Sequence, residues 1–440
     1  MQRFVIGGNQ IVSRLAAALV AAAMLCGGCG GAGGGASGAA SGSTSPTTPA
    51  VANLGTYQVA SNTVTVAGIS SGGAMAVQLQ VANSASFYGA AVIAGAPYYC
   101  MQDDSAHWVN ACNTGVTRST STPVPLSALV SYVNQQAAAG NIDPVANIGA
   151  KPIYMFSGTE DTVVYQAVMN DLQQFYLNFT DAGNIAYDNT TPAEHGWISP
   201  DGANPCDVHA LPYINNCGID PEQTFLTMFY GPLSSRNAKP EGQYIQFDQD
   251  TFCPGGSCAA ISMDSTGWLY APTNCAASEC KLVVALHGCN QYQAAVGLAF
   301  VQNAGINEWA DNNNILVLYP QTIASTPLSN SEGCWDWWGY TGANYALKSA
   351  PQMTAIMNMV HQITGGVDRH CRRGRKRCER PGIIVVYALE FPAARRSFKP
   401  VLWCSCIPVT LDFTRPTVIA TLRTSCQMST NMRAVIHLQK

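Results

Sequence analysis

The sequence carries few charges: Lys, Arg, Asp and Glu together make up 11% of its 440 residues. Residues 1–368 hold only eight Lys or Arg against 23 Asp or Glu. A surface so poor in cations cannot neutralise a phosphate backbone, which excludes nucleic acid as a partner of this part of the chain. Long apolar runs are also scarce. The run at residues 15–25 has eleven residues, too few to cross a bilayer as a helix.

This short run is typical of an export signal, because Arg3 and Arg14 precede it and small residues follow. Two glycines then lead to Cys29, as in a bacterial lipoprotein cleavage site, although Cys26 stands where Leu is usual. We therefore expect residues 1–29 to be a leader, with either a lipid anchor at Cys29 or plain secretion. Residues 30–52 are almost all Gly, Ala, Ser, Thr and Pro, which predicts a flexible linker.

The charge balance reverses near the C-terminus. Residues 369–440 contain 14 Lys or Arg and three Asp or Glu. This segment could be a basic arm for an anionic surface or nucleic acid. Its abrupt onset, five additional cysteines and lack of periodicity favour a segment that is disordered or foreign to the fold. The sequence thus predicts a globular body at 53–366 and an atypical basic tail at 367–440 without catalytic residues.

An even number of cysteines in an exported body indicates disulfides rather than free thiols. Proximity in the chain suggests four pairs and leaves Cys289 with Cys334, although sequence alone does not fix the connectivity. The spacing favours no metal site. The other suggested pairs are Cys100–Cys112, Cys206–Cys217, Cys253–Cys258 and Cys275–Cys280.

The sequence GISSGG at residues 68–73 follows a β-type run at 63–66 and precedes a helical pattern. This is the context of a G-x-S-x-G nucleophile elbow, in which a strained turn exposes a serine at a helix N-terminus. Ser70 is therefore the candidate nucleophile. A serine nucleophile needs a base and a carboxylate that orients the base.

Candidates for both partners follow in the chain. Asp161 comes after a buried strand-like run at 151–156, with Glu160 as the alternative. His195 lies in a loop 34 residues further on, and His209 competes with it. The order Ser, Asp, His is typical of α/β-hydrolases.

Residues 282–290, LVVALHGCN, are similar to the oxyanion loop of lipases and esterases, whose N–H groups face the developing alkoxide. In the usual hydrolase order this loop precedes the nucleophile, but here it follows Ser70 by over two hundred residues. Circular permutation explains the order, since chain ends commonly lie close together at the surface. Further strands are expected at 243–247, 260–263, 268–272, 281–286 and 314–318, and a helix at 351–363.

Five motifs together resemble the poly(3-hydroxybutyrate) depolymerases, and specifically the type with a permuted α/β-hydrolase domain. They are GISSGG at 68–73, AGAPYYC at 94–100, PYINNC at 212–217, LHGC at 286–289 and GCWDWWGY at 333–340. The resemblance covers residues 55 to 365. It implies a serine esterase that cleaves a polyester polymer or its oligomers without a metal or organic cofactor. By the same resemblance, the N–H groups of Ser71 and Cys289 form the oxyanion hole.

The tryptophans of the last motif have two interpretations, core packing or an apolar wall for the substrate. If the segment is extended, alternation puts Trp335 and Trp337 on one face and Trp338 on the other, so at least one should line the cleft. Two other functions are compatible with the motifs: a carbohydrate esterase of the acetylxylan or feruloyl type, and an inactive protein that binds polymer surfaces. The sequence leaves the oligomeric state open.

Overall fold

The computed structural model describes residues 51–102, 104, 111–112 and 124–366, and the backbone of four two-residue strands between 403 and 435. The predicted leader, Cys29 and most of the predicted linker lie outside these residues. The chain divides into two compact units, Met1–His370 and Cys371–Lys440. In the second unit, Trp403–Cys404 pairs antiparallel with Ile407–Pro408, and Ile419–Ala420 with Ala434–Val435. The prediction that the basic tail is foreign to the fold concerns residues that are mostly not described.

The first unit contains a large, mostly parallel sheet. Its strands run β4-β3-β2-β1-β10-β11-β9-β8, and a small second sheet has the order β5-β7-β6. Only the β11–β9 and β9–β8 pairings in the large sheet are antiparallel. The strands are β1 (Val59–Ile69), β2 (Gly89–Ile93), β3 (Ile153–Phe156), β4 (Ile185–Asp188), β5 (Trp197–Ile198), β6 (Asn204–Pro205), β7 (Ile214–Asn216), β8 (Gln243–Asp248), β9 (Thr266–Ala271), β10 (Cys280–Leu286) and β11 (Ile315–Tyr319).

The central strands are buried on both faces, which explains their nearly continuous apolar sequences. Every residue of α1 is buried too, as expected for a helix without a polar face. No helix of the described residues is long and apolar enough to span a membrane. The helices are α1 (Ser71–Ala82), α2 (Leu126–Ala138), α3 (Gln166–Tyr176), α4 (Pro221–Tyr230), α5 (Gln293–Val296), α6 (Ala299–Asn303), α7 (Ile306–Asn313) and α8 (Pro351–Thr364).

The predicted permutation agrees with the topology. Strand β1 pairs in parallel with both β2 and β10 at the centre of the sheet. The two ends of the body also meet: the Tyr57 N–H donates to the Ile363 carbonyl over 2.7 Å, and the Thr56 hydroxyl donates to the Gln362 carbonyl over 3.0 Å. Helix α8 therefore ends beside the start of β1. Joining those ends and opening the chain before β8 would give the order β8 to β11 followed by β1 to β4.

The predicted strands at 243–247, 268–272, 281–286 and 314–318 are confirmed within one or two residues by β8 to β11, and the helix at 351–363 by α8. The predicted strand at 260–263 is wrong. Cys258–Ile261 forms a 3₁₀ helix, and Ser262 follows with a φ of 59°. The cause is local, because the N–H groups of Ser262 and Met263 donate back to the carbonyls of Ala259 and Cys258, so the chain turns there instead of extending.

All five predicted disulfides are confirmed, namely Cys100–Cys112, Cys206–Cys217, Cys253–Cys258, Cys275–Cys280 and Cys289–Cys334.

Glu222, in the first turn of α4, is fully buried. Burial raises its pKa well above the ordinary value of 4.5, and the neighbouring Asp220 carboxylate raises it further. The folded protein therefore holds the neutral acid where the unfolded chain releases its proton. The contribution of Glu222 to the free energy of unfolding is fully present below the pKa that the group has in the unfolded chain. It is lost as the pH rises toward the pKa that the group has in the folded protein.

We expect Glu222→Gln to remove this loss, because the amide stays neutral and has nearly the same shape. At pH 8 the variant should unfold at a higher temperature than the wild type, whereas at pH 4 the two should be close. Thermal unfolding followed by circular dichroism across this range measures the difference. The exposed Glu241 offers the control Glu241→Gln, which should follow the wild type. A parallel pH dependence in Glu222→Gln and the wild type would contradict the assignment.

Candidate active site

Ser70 lies on a strained turn between β1 and α1, with φ 57° and ψ −123°. The turn is possible only because Gly68 and Gly72, two residues before and after Ser70, lack side chains. A Cβ on Gly68 would lie 2.2 Å from the Gly72 carbonyl oxygen, and a Cβ on Gly72 would lie 2.3 Å from the His287 carbonyl oxygen. The second contact shows that the elbow touches the end of β10. Non-glycine residues at positive φ cluster at functional sites, so the conformation of Ser70 supports its selection from the sequence.

A cavity of about 320 Å³ opens above this turn. It is where most of the residues predicted for the site come together, although they come from four separate parts of the chain. The predicted residues that line it are Ser70, Ser71, His195, Cys289 and Trp337.

Asp161 lies directly behind His195. Its Oδ2 is 2.9 Å from His195 Nδ1, and both side chains are buried. The other carboxylate oxygen, Oδ1, accepts the N–H groups of Val163 and Val164 over 2.8 and 2.7 Å. The alternative acid, Glu160, is exposed. The carboxylate is thus fixed on one side by the backbone and presents its other oxygen to the imidazole.

His209 lies at the mouth of the same cavity. Its ring is edge-on to His195, with centroids 5.9 Å apart, and packs on Tyr213 at 4.9 Å. Partial burial lowers the pKa of His209, and the nearby His195 lowers it further. Because His195 makes the hydrogen bond to Asp161, it fits the position of the base better than His209 does.

Most N–H groups of the loop after β10 donate hydrogen bonds within the protein. The Gly288 N–H donates to Gln291 Oε1, the Asn290 N–H to the Glu332 carbonyl and the Gln291 N–H to the Gly288 carbonyl. Within the part of the chain that the structure describes, the Cys289 N–H has no such acceptor. Ser71 is the first residue of α1, and the first N–H groups of a helix have no partner within it. Two amides are therefore available beside Ser70.

The neighbouring His287 is fully buried, and burial lowers its pKa to about 4. It is therefore neutral at pH 7. Its Nδ1–H donates to the Gly288 carbonyl over 2.7 Å, and its Nε2 accepts the Thr322 N–H over 3.3 Å. The ring thus fixes the direction of the Gly288 peptide.

Gln291 was not selected from the sequence. Its buried amide also donates to the carbonyls of Pro212 and Tyr213, both over 3.0 Å. It joins the loop after β10 to Tyr213, which also lines the cavity. Contacts between residues almost 80 positions apart leave no local pattern that could have revealed it.

The tryptophan segment is not extended, so the condition for the predicted alternation is not met. The chain turns around the Asp336 carboxylate, which accepts the N–H groups of Gly339, Tyr340 and Thr341. As a result, Trp335 is fully buried, and its Nε1–H donates to the His287 carbonyl over 3.0 Å. Trp335 supports the loop from behind and does not reach the cavity.

The other two tryptophans are partly exposed. Trp337 lines the cavity, whereas Trp338 packs edge-on against it, with ring centroids 6.0 Å apart. Trp338 also contacts Tyr340 at 4.8 Å.

The chain is similar to curated proteins and to solved structures. A polyhydroxybutyrate depolymerase from Talaromyces funiculosus is 40% identical over 334 residues, which cover 72% of this chain and 94% of that protein. The chain belongs to the polyhydroxybutyrate depolymerase family. The predicted resemblance is thereby confirmed.

Other members extend the comparison. A poly(3-hydroxybutyrate) depolymerase from Delftia acidovorans is 45% identical over 323 residues, 72% of this chain but 63% of that protein. The crystal structure of the PHB depolymerase from Penicillium funiculosum matches with a TM-score of 0.66 at 38% identity, and covers 72% of this chain and 99% of that one. A PHB depolymerase complexed with an R3HB trimer matches with a TM-score of 0.65.

The family described as "Esterase PHB depolymerase" matches residues 266–394. This stretch contains the loop after β10 and the tryptophan segment, but Ser70, Asp161 and His195 all precede it. The match thus begins in the half of the fold that the permutation moved to the end of the chain.

The contact between elbow and β10 can be tested with Gly72→Ala. The added methyl group would lie 2.3 and 2.4 Å from two backbone oxygens, those of His287 and Leu286, and backbone atoms cannot move aside separately. We expect a loss of about 1–3 kcal/mol in the free energy of unfolding, measured by denaturant titration. Gly183→Ala is the control, because nothing lies within 4 Å of its added methyl group. Equal stability of the two variants would show that the close approach is not a constraint.

Proposed function

We propose that this chain is a serine esterase that hydrolyses poly(3-hydroxybutyrate) or its oligomers. The observation that carries the proposal is the Asp161–His195 hydrogen bond of 2.9 Å, made at a cavity that is also lined by the elbow serine Ser70. A nucleophile, a base and an orienting carboxylate are the three groups that acyl transfer through a covalent intermediate requires.

In the first step the Ser70 oxygen attacks the ester carbonyl while His195 Nε2 takes the hydroxyl proton. Asp161 accepts the Nδ1–H, which keeps Nε2 free to act as the base. When the tetrahedral intermediate collapses, the C–O bond to the alcohol breaks, and His195 returns the proton to the leaving oxygen. Water then attacks the acyl-enzyme with the same base, which releases the acid and regenerates Ser70.

The N–H groups of Ser71 and Cys289 would stabilise the alkoxide. Support comes from the occupied N–H groups around Cys289, which leave that amide as the donor of its loop, and from the position of Ser71 at the start of α1. Each donor of this kind is worth about 3 kcal/mol in the transition state. The reaction needs no metal or organic cofactor.

The nature of the cavity supports a neutral polyester as substrate. Among the described residues that line it, Glu332 is the acid, and Lys and Arg are absent. Apolar groups form much of the rest, including Ile69, Val164 and Trp337. Related proteins are named as depolymerases of this polymer, and one was solved with an R3HB trimer. We assign Trp337 as the apolar wall for the chain.

We further propose that the protein acts outside the cytoplasm, with Cys29 as the candidate point of lipid attachment. Five disulfides in one domain support an oxidising compartment, because thiols stay reduced in the cytosol.

The central prediction concerns Ser70→Ala, which should lower the rate of ester hydrolysis by roughly a millionfold and leave the fold intact. Product analysis after incubation with polyhydroxybutyrate film, wild type beside variant, measures it. Acetylated xylan serves as the second substrate. Faster release of acetate from xylan than of hydroxy acid from film would favour a carbohydrate esterase. Adsorption of the wild type to film without soluble product would indicate a binding protein.

The assignment of Trp337 to the wall of the cavity can also be tested. Trp337→Ala should raise KM for a soluble 3-hydroxybutyrate oligomer by about tenfold, the equivalent of one aromatic contact, with little change in kcat. Trp338→Ala is the control, since Trp338 packs on Trp337 but does not line the cavity. If the two variants changed KM equally, the effect would come from packing rather than from contact with substrate.

A further inference from the structure

Two loops carry the Asp161–His195 pair, and they lie against each other backbone to backbone. A Cβ on Gly158 would lie 2.0 Å from the Ala193 carbonyl oxygen. The same oxygen accepts the Glu160 N–H over 3.2 Å. The first loop follows β3 and the second follows β4, so the sheet alone does not fix the distance between their tips.

A single carboxylate bridges those tips. Glu194 Oε2 accepts the N–H of Thr162 over 2.9 Å and the N–H of His195 over 2.5 Å, and Oε1 accepts the Thr162 hydroxyl. Thr162 directly follows Asp161 in the chain, and His195 directly follows Glu194. The carboxylate therefore bonds the backbone at each end of the acid–base pair.

Glu194 is itself held from behind. Its own N–H donates to the Cys206 carbonyl over 2.9 Å, and Cys206 is in a disulfide with Cys217. The side chain is only half-buried. A carboxylate that accepts three hydrogen bonds in such a place loses little solvation and gains a fixed orientation.

We propose that Glu194 is a positioning residue that sets the distance and angle between Asp161 and His195. This inference rests on the proposed function, because it assigns a role within the same site. Glu194 does not touch the substrate. It acts by holding two backbones so that the Nδ1–Oδ2 hydrogen bond forms in one geometry, and catalytic groups displaced by about 1 Å can lose on the order of a hundredfold in rate.

The chemistry of the three donors predicts which variants should matter. In Glu194→Gln the amide oxygen can take the place of Oε2 and accept both N–H groups. The amide nitrogen then faces the Thr162 hydroxyl, which can turn to accept from it. All three hydrogen bonds survive and only the charge is lost. In Glu194→Ala all three are lost.

The test compares kcat and KM of both variants on a soluble 3-hydroxybutyrate trimer. Glu194→Ala should lower kcat by about 10- to 100-fold with KM nearly unchanged, and Glu194→Gln should stay within a few-fold of the wild type. Asp264 provides a matched control, because its half-buried carboxylate accepts the N–H and the hydroxyl of Thr266, as Glu194 accepts those of Thr162, and neither residue lines the cavity. Asp264→Ala should keep the wild-type kcat.

Three outcomes would overturn the proposal: a kcat for Glu194→Ala within twofold of the wild type, equal losses in the Ala and Gln variants, or an equal loss in Asp264→Ala. If Glu194→Ala does not fold, Thr162→Val removes one of the three donors at constant shape and should lower kcat by a smaller factor. An unchanged kcat there would also overturn it. Ser70→Ala in the same assay separates this result from failure of the proposed function, since an active Ser70→Ala would reject the mechanism itself.

Discussion

Strands β1 and β10 pair side by side at the centre of the sheet, and the turn that leaves β1 lies against the backbone that leaves β10. Gly72 is so close to the carbonyls of Leu286 and His287 that no side chain fits between them. This contact places the two amides available beside Ser70, one at the start of α1 and one on the loop after β10. Every other part of the site is arranged around it.

The permutation follows from the same constraint. The sheet requires β1 and β10 to be neighbours, but it does not require that β10 be made first. A hydrogen bond from Tyr57 to Ile363 shows that the two ends of the body are in contact. A chain break between α8 and β1 therefore disturbs no strand. The order of the elements along the chain is therefore free to change, whereas their adjacency is not.

The predictions from sequence were most accurate for elements whose structure is determined by residues close together in the chain. The elbow needs Gly68 and Gly72 around Ser70, and a helix that starts at Pro351 needs a buried face that includes Ile356 and Val360. Such patterns are readable because their causes lie within a few residues. The order Ser, Asp, His likewise selected Ser70 and His195, which line one cavity, and Asp161, which is hydrogen-bonded to His195.

The failures of prediction arise at turns of the chain and at contacts between distant loops. Trp335 was expected at the cleft, but the chain turns around Asp336 and buries it. The strand predicted at 260–263 gave way to a turn in which the Met263 N–H donates to the Cys258 carbonyl. Gln291 and Glu194 were missed because each acts through backbone groups of a distant loop. No property of Gln or Glu in a sequence reveals such a partner.

Disulfides fix several of the loops that line the cavity. Loops at the carboxyl ends of strands receive no ladder hydrogen bonds, so their shape must be fixed in another way. Cys112 and Cys289 line the cavity, and each is in a disulfide. The bond between Cys206 and Cys217 encloses the loop that carries His209 and Tyr213, both of which also line the cavity. Three of the five disulfides thus bear on the cavity, and the precision of the site depends on them as much as on the core.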